Sequence, residues 1–439
     1  MADWLLEHVT HLTLFALLDT VLILVVIPIV LVKKRDSTVA VGWCLVVLLM
    51  PVLGALLFWV FGYNYVNRRV TRKRRHRSRF DQSNPPTRPE ARRGPLQLEQ
   101  ATELTDDPAR LAVRLDAFPL STDNAVTLYH HTDAAYEALL DAIAQAKSHV
   151  HLQFYIFRDD AAGRRIVDVL VERARAGVEV RLLYDSVGSF FLSSKLVRRV
   201  VEAGGKARDS LPVNLLRSWI QVNLRNHRKI VVIDGRVAFT GGMNIGDEYL
   251  GRSAFFGYWR DTFLRVEGPA VAGLQRIFAE DWHFSAGESL NGEAYFPEVP
   301  GRGKHAVQVV EGGPDQPVNS IREIYFAAIV EAKWRLWIAS PYFVPDSGLL
   351  DALRLARLRG VDVRLLCLLR PDHFLSFYAS RYYWGDLLSY GGRVYQYGRG
   401  MMHAKVVLVD DRWAMVGSAN LDNRSLRTEL RGPTAAVLP

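Results

Sequence analysis

The sequence predicts an α/β protein built from two copies of one lobe, related by a pseudo-twofold axis and preceded by a two-helix transmembrane hairpin. Each lobe is expected to be a sheet with helices on both faces. Three observations lead there. A pattern of histidine, lysine, aspartate and asparagine occurs twice with identical spacing, a strand–helix–strand unit recurs around each copy, and two long apolar runs open the chain.

The apolar runs, residues 11–32 and 39–61, are each long enough to cross a hydrocarbon core of roughly 30 Å as a helix. Neither a basic start nor a small-residue cleavage site marks the first as a signal peptide. Only Lys33 to Thr38 separates the runs, so both outer ends are expected on one side. The stretch from Arg68 to Arg79 contains no acid and supplies much of the formal net charge of +9. By the positive-inside rule it places the catalytic part in the cytoplasm, and beside a membrane it is expected to meet anionic lipid rather than nucleic acid. The Arg, Pro, Asn and Gln that follow, up to about Pro95, read as a tether. Cys44 and Cys367 read as packing residues, with no disulfide or cysteine metal site.

Past the tether, an apolar strand over 150–157, a helix over 163–176 and a strand over 177–184 are matched by a strand over 336–343, a helix over 347–358 and a strand over 360–367. Alternation of helices with apolar strands indicates sheets covered on both faces. Residues 262–267 read as a strand and 269–283 as a helix closing the first lobe. The expected organisation is a hairpin over 1–66, a basic segment and linker over 67–115, lobe 1 over 116–290 and lobe 2 over 303–439.

The repeated pattern carries the chemistry. Its first copy holds His227, Lys229, Asp234 and Asn244, and its second His403, Lys405, Asp410 and Asn420, an offset of 403 − 227 = 176 at all four positions. Alternation puts each histidine and lysine on one face of a strand. One copy is half a site; two meeting across the axis supply a nucleophile, an acid and cations for the oxygens of a phosphodiester, without a metal or other cofactor. Asp234 and Asp410 belong to the motif but end their strands, where they are expected to pin turns. Tyr155 and Tyr342 fall at matching strand ends and are expected to line the pocket. His130, His131, His151, His283 and His373 have no repeat partner and read as packing or surface residues. For Arg225 and Arg228, headgroup contact and a solvated strand edge both stand open.

The double motif, with Arg225–Ile230, Gly241–Tyr249, Ser340–Asp346 and Gly417–Ser425, resembles the phospholipase D superfamily, and more narrowly its bacterial cardiolipin synthase branch. The resemblance implies phosphatidyl transfer between two phosphatidylglycerol molecules, giving cardiolipin and glycerol through a phosphohistidine. It assigns His227 as nucleophile and His403 as acid/base, with Lys229, Lys405, Asn244 and Asn420 on the phosphoryl oxygens. It also implies a carboxylate from each repeat that orients a histidine, matched by Asp261 in lobe 1. In lobe 2 the family's glutamate position, 431, is arginine, and Glu429 is the nearest acid. The chain ends short of the family's usual length, so an open second core and a poorly oriented His403 are expected. Hydrolysis to phosphatidic acid, a tethered nuclease and a non-catalytic membrane scaffold are the alternatives.

Overall fold

The computed structural model describes residues 2–34, 37–63, 66–86, 107–115, 117–212, 225–313, 316, 319–370, 372–422, 425–426 and 431–438. They form two compact units that part after Thr71. In the first, α1 (Ala2–Lys33) contains Thr13–Lys33, long and apolar enough to cross a membrane. The second apolar run is not one helix. It breaks at Met50 (φ −143°, ψ 73°) into α2 (Ser37–Leu49) and α3 (Pro51–Leu57), because Pro51 lacks an N–H and its ring disfavours helical backbone at the preceding residue. At 1.5 Å per residue α2 reaches only about 20 Å. The expected two-helix hairpin is therefore corrected to one spanning helix, among the described residues, followed by a broken helical pair. A Cβ at Gly54 would lie 2.5 Å from the Val46 carbonyl oxygen, so only glycine permits that turn back of α3 on α2.

The next helix, α4 (Val66–Ser83), enters the second unit at Arg72. Lobe 1 then runs α5 (Asp107–Arg114), β1 (Ser121–Tyr129), α6 (Thr132–Ala144), β2 (His149–Phe154), α7 (Ala161–Arg175), β3 (Glu179–Asp185), α8 (Ser194–Glu202), β4 (Lys206–Ser210), β5 (Ile230–Ile233), β6 (Val237–Gly241), β7 (Tyr258–Arg260), β8 (Phe263–Glu267) and α9 (Val271–Ala286). Lobe 2 runs β9 (His305–Gly312), α10 (Ser320–Glu331), β10 (Arg335–Ala339), β11 (Phe343–Val344), α11 (Ser347–Leu358), β12 (Asp362–Leu368), α12 (Phe374–Ser389), β13 (Arg393–Tyr397), β14 (Gly400–Met402), β15 (Val406–Val409), β16 (Trp413–Val416), β17 (Leu421–Asp422) and β18 (Arg431–Leu438).

Among the described residues one fourteen-stranded sheet runs through both lobes in the order β13-β12-β10-β15-β16-β18-β9-β1-β8-β6-β5-β2-β3-β4. Read from the centre outward the halves match strand for strand, with β1 and β9 meeting antiparallel in the middle. The expected open second core is filled at that position by β18, which pairs with both β16 and β9.

Strand alternation decides which face each side chain takes. In β2, Val150, Leu152 and Phe154 enter the main core with Leu139 of α6, Leu170 of α7 and Val200 of α8. On the opposite face His151 meets Gln275 of α9 at 3.1 Å, and Gln153 meets Asp281 at 2.6 Å. Lobe 1 thus has helices on both faces. Lobe 2 departs from that expectation: α10 and α11 pack on one face, while the other carries Trp337 under the guanidinium groups of Arg335 and Arg364 (5.2 and 4.7 Å), with Leu408 and Tyr395 exposed. Among the described residues no helix follows β18 as α9 follows β8.

The two motif aspartates fasten equivalent corners. Asp234 (φ 54°) accepts the N–H groups of Lys147, Ser148 and His149 at the start of β2; Asp410 (φ 53°) accepts those of Lys333, Trp334 and Arg335 at the start of β10. Asp410→Ala strands those donors and is expected to cost about 3 kcal/mol, read as a lowered Tm in detergent. Asp410→Asn, which tolerates positive φ, is expected to lose less.

Candidate active site

Each histidine lies just before an apolar strand, so that its lysine, two residues on, shares its face. Lys229 Nζ is 3.0 Å from His227 Nδ1 and donates to the His227 carbonyl at 2.9 Å; Lys405 Nζ donates to the His403 carbonyl. Both lysines are buried. The Tyr155 ring sits 4.4 Å from His227 and 5.3 Å beneath Lys229 Nζ. Asn244 and Asn420 are buried as well. Asn244 Oδ1 accepts the Ile156 N–H at 3.1 Å, while Asn420 Oδ1 is buried with no hydrogen-bond partner among the described residues.

The lobes are stitched together at His403. β14 pairs with β7 in parallel, Met402 opposite Arg260, and the His403 N–H donates to the Arg260 carbonyl at 2.8 Å. That ladder sets His403 Nδ1 2.7 Å from Asp261 Oδ2. Asp261 therefore serves the histidine of the other lobe, a correction to its expected pairing within lobe 1: the end of β7 lies beside β14. Space for the carboxylate comes from Gly242, where a Cβ would meet Asp261 Oδ1 at 2.0 Å. Trp259, two residues earlier, places its ring 5.4 Å from His403. Nothing in the sequence singled out that contact, because it exists only across the lobes.

β18 begins at Arg431, and its pairing with β9 shifts register between Arg431 and Thr434, so the regular register of β8 does not carry over to a counterpart of Asp261. Glu429 lies outside the described residues. His151 packs in the core against Phe278, ring centroids 4.6 Å apart. Arg225 and Arg228 are buried, so neither is a solvated edge, and Arg228 is ion-paired. Sequence reasoning also missed Asp185, buried at the end of β3, which accepts the Asn226 N–H at 2.8 Å beside His227.

Electrostatics divide the pair. Burial first, and then the Lys405 charge, push the His403 imidazole down to about 4, although Asp261 pulls it up; Lys229 of the other lobe adds to the depression. Burial raises the Asp261 carboxyl, but His403 and Lys405 outweigh it and hold it below the ordinary carboxylate range. At neutral pH Asp261 is thus ionised and His403 neutral, with its proton on Nδ1. Nε2 keeps its lone pair.

Residues 139–282 and 325–430 match the family described as "Cardiolipin synthase, PLD-like domain", and residues 12–62 match "Phospholipase_D-nuclease N-terminal". A cardiolipin synthase of Geobacillus kaustophilus is 40% identical over 419 residues, covering 94% of this chain and 82% of the relative. This chain belongs to the cardiolipin synthase family. The major cardiolipin synthase ClsA of Bacillus subtilis is 37% identical over 430 residues, 95% of this chain and 86% of that one. Family membership and the N-terminal match together agree with an anchored phospholipase D-like protein having one N-terminal apolar helix long enough to span. In fold alone, the chain is similar to a phosphatidylserine synthase of Haemophilus influenzae, with a TM-score of 0.54 and 14% identity, over 76% of this chain and 86% of that one.

The folded His403 takes a proton only near pH 4, whereas an unfolded chain takes it near 6.5. Its contribution to stability is therefore full above about pH 6.5 and is lost as the pH falls through about 4. Histidine-labelled NMR is expected to show a His403 midpoint near 4, moved lower still in Asp261→Asn; a native midpoint above 6 would contradict the assignment.

Proposed function

We propose that the chain is a cardiolipin synthase in which His227 carries the phosphatidyl group and His403 moves the proton. Cardiolipin synthesis as such follows from family membership over nearly the whole chain. The observation that supports the division of roles is the carboxylate on the His403 ring: Asp261 can stabilise an imidazolium there, whereas His227 has an ammonium 3.0 Å away, a poor neighbour for a second positive charge.

In the first half-reaction a His227 nitrogen attacks the phosphorus of phosphatidylglycerol, and the phosphorus–oxygen bond to glycerol breaks. His403 protonates the departing oxygen. The entering phosphodiester anion offsets the Lys405 and Lys229 charges that depress His403, so proton uptake there becomes easier as substrate binds. In the second half, a hydroxyl of another phosphatidylglycerol gives its proton to His403, its oxygen attacks phosphorus, and the phosphorus–nitrogen bond breaks. Lys229, Lys405, Asn244 and Asn420 hold the non-bridging oxygens. Asp234 and Asp410 act through the fold, since their carboxylates are engaged by backbone N–H groups.

The finer reading of localisation is an inner-membrane protein anchored by α1, with α2 and α3 as a broken second pass and the lobes cytoplasmic. Among the described residues, Arg72, Arg75 and Arg79 are exposed on α4 and available to meet anionic headgroups.

Detergent-purified protein incubated with phosphatidylglycerol without added metal is expected to yield cardiolipin and glycerol by mass spectrometry. His227→Ala is expected to abolish both product and covalent adduct. Asp261→Asn is expected to lower turnover about 10²- to 10⁴-fold, the usual reach of positioned acid–base catalysis. Phosphatidic acid as the sole product would identify a hydrolase instead, and lipid binding without turnover a scaffold.

A further inference from the structure

The parallel strands of each lobe run toward the site. β2 pairs with β3, and β10 with β12, in parallel. β2 ends at Phe154, and the ring of the next residue, Tyr155, lies 4.4 Å from His227. The chain leaving the carboxyl ends of β3 and β12 therefore forms a rim to the site. One serine secures that rim in each lobe. Ser189, after β3, accepts the Phe157 N–H on Oγ at 3.0 Å, and Phe157 bridges to Ile245, which follows Asn244. Ser380 of α12 accepts the Phe343 N–H at 2.9 Å, and Phe343 pairs with Leu421, which follows Asn420. Since 245 + 176 = 421, the two rim segments occupy equivalent places around the site.

Both segments expose apolar side chains. Phe190 and Phe191, beside Ser189, are exposed, with the Arg158 guanidinium 5.3 Å over the Phe191 ring. In lobe 2, Tyr342 Oη donates to Asp372, which sets the start of α12 at the rim. Its first residues, Phe374 and Leu375, are 68% and 90% exposed, and Tyr378 and Tyr382 continue that face at helical spacing. The opposite face, with Phe377, Trp384 and Leu387, is buried. A helix apolar on both faces is one that is covered on both, and contiguous exposed apolar groups mark an interaction surface. The charge nearby is basic: Arg370 and Arg381 are exposed, whereas Asp372 and Asp386 are partly buried. A third exposed ring, Phe255, connects to the site through Phe256 at 4.9 Å, then Trp259 at 5.5 Å, then His403 at 5.4 Å.

We propose that this rim enters the interface of an anionic phospholipid bilayer, so that the site opens onto the membrane past Phe190, Phe191, Phe374, Leu375 and Tyr378. Aromatic and apolar side chains settle between headgroups and acyl chains, and the arginines among them meet anionic headgroups. A protein seated there, a second copy included, would cover the opening through which lipid substrate enters and product leaves. The proposal rests on the reading that the substrates are phospholipids.

The test uses the full chain in vesicles of equal parts phosphatidylglycerol and phosphatidylcholine. With Cys44→Ala, the buried Cys367 is the native thiol that remains, and a fluorescent label is attached through Leu375→Cys or, as a control, Leu358→Cys. Leu358 is 70% exposed but closes α11 ahead of β12, at the far end of the lobe. The label at position 375 is expected to shift to the blue and to be quenched by lipids with brominated acyl chains at least about threefold more than the label at 358. Leu375→Glu/Tyr378→Glu, at two exposed positions, is expected to keep the parent's Tm. Its turnover on bilayer phosphatidylglycerol is expected to fall about tenfold relative to its turnover on short-chain phosphatidylglycerol dissolved as monomers. Equal quenching at the two positions, or an unchanged ratio of turnovers, overturns the proposal. So does a blue shift that follows protein density and not brominated lipid, which would identify a second copy as the occupant. Should the parent make no cardiolipin, the functional reading fails, and the quenching still decides whether the rim meets the bilayer.

Discussion

The hydrogen bond between Asp261 and His403 depends on two lobes sharing one sheet, and much of the site depends on it in turn. Antiparallel pairing of β1 with β9 joins the halves, and the short parallel ladder of β7 with β14 then brings lobe 1's carboxylate to lobe 2's imidazole at 2.7 Å. Gly242 leaves the room that the carboxylate fills. Buried, Asp261 remains ionised only because His403 and Lys405 stand beside it, and His403 remains neutral because burial and Lys405 outweigh Asp261. Neither lobe alone could set that proton balance.

Pseudo-symmetry is followed where backbone geometry demands it and abandoned where chemistry differs. Asp234 and Asp410 perform the same turn-pinning task with the same three kinds of partner, since each must satisfy the N–H groups at the start of a central strand. The histidines diverge. His403 has the Asp261 carboxylate 2.7 Å from its ring, and His227 has the Lys229 ammonium 3.0 Å from its own. Two chemically different roles need two different electrostatic settings, which strict symmetry would not provide.

The basic segment shows how little a run of charge says about exposure. Read by composition, Arg68 to Arg79 is a patch for anionic lipid, followed by a tether. In the fold the run is helical, Lys73 and Arg77 are buried against Asp281 and Glu311, and Asp81 and Asn84 engage Arg276 of α9. Those acids lie more than two hundred residues away in the chain, so the neutralisation could not be anticipated locally.

The sequence by itself determined the repeat, the α/β class, and the six motif residues with their asparagines. Each follows from spacing and side-chain chemistry, which are local properties. Tertiary structure alone decided that Asp261 crosses to the other histidine, that lobe 2 leaves one sheet face without a described helix, and that Asn226 and Arg228 donate to Asp281. The break at Met50 lies between these: Pro51 was visible in the sequence, but its effect was outweighed by the apolar length of the run. Contacts between residues far apart in the chain depend on how the sheets close, and no local pattern encodes that closure.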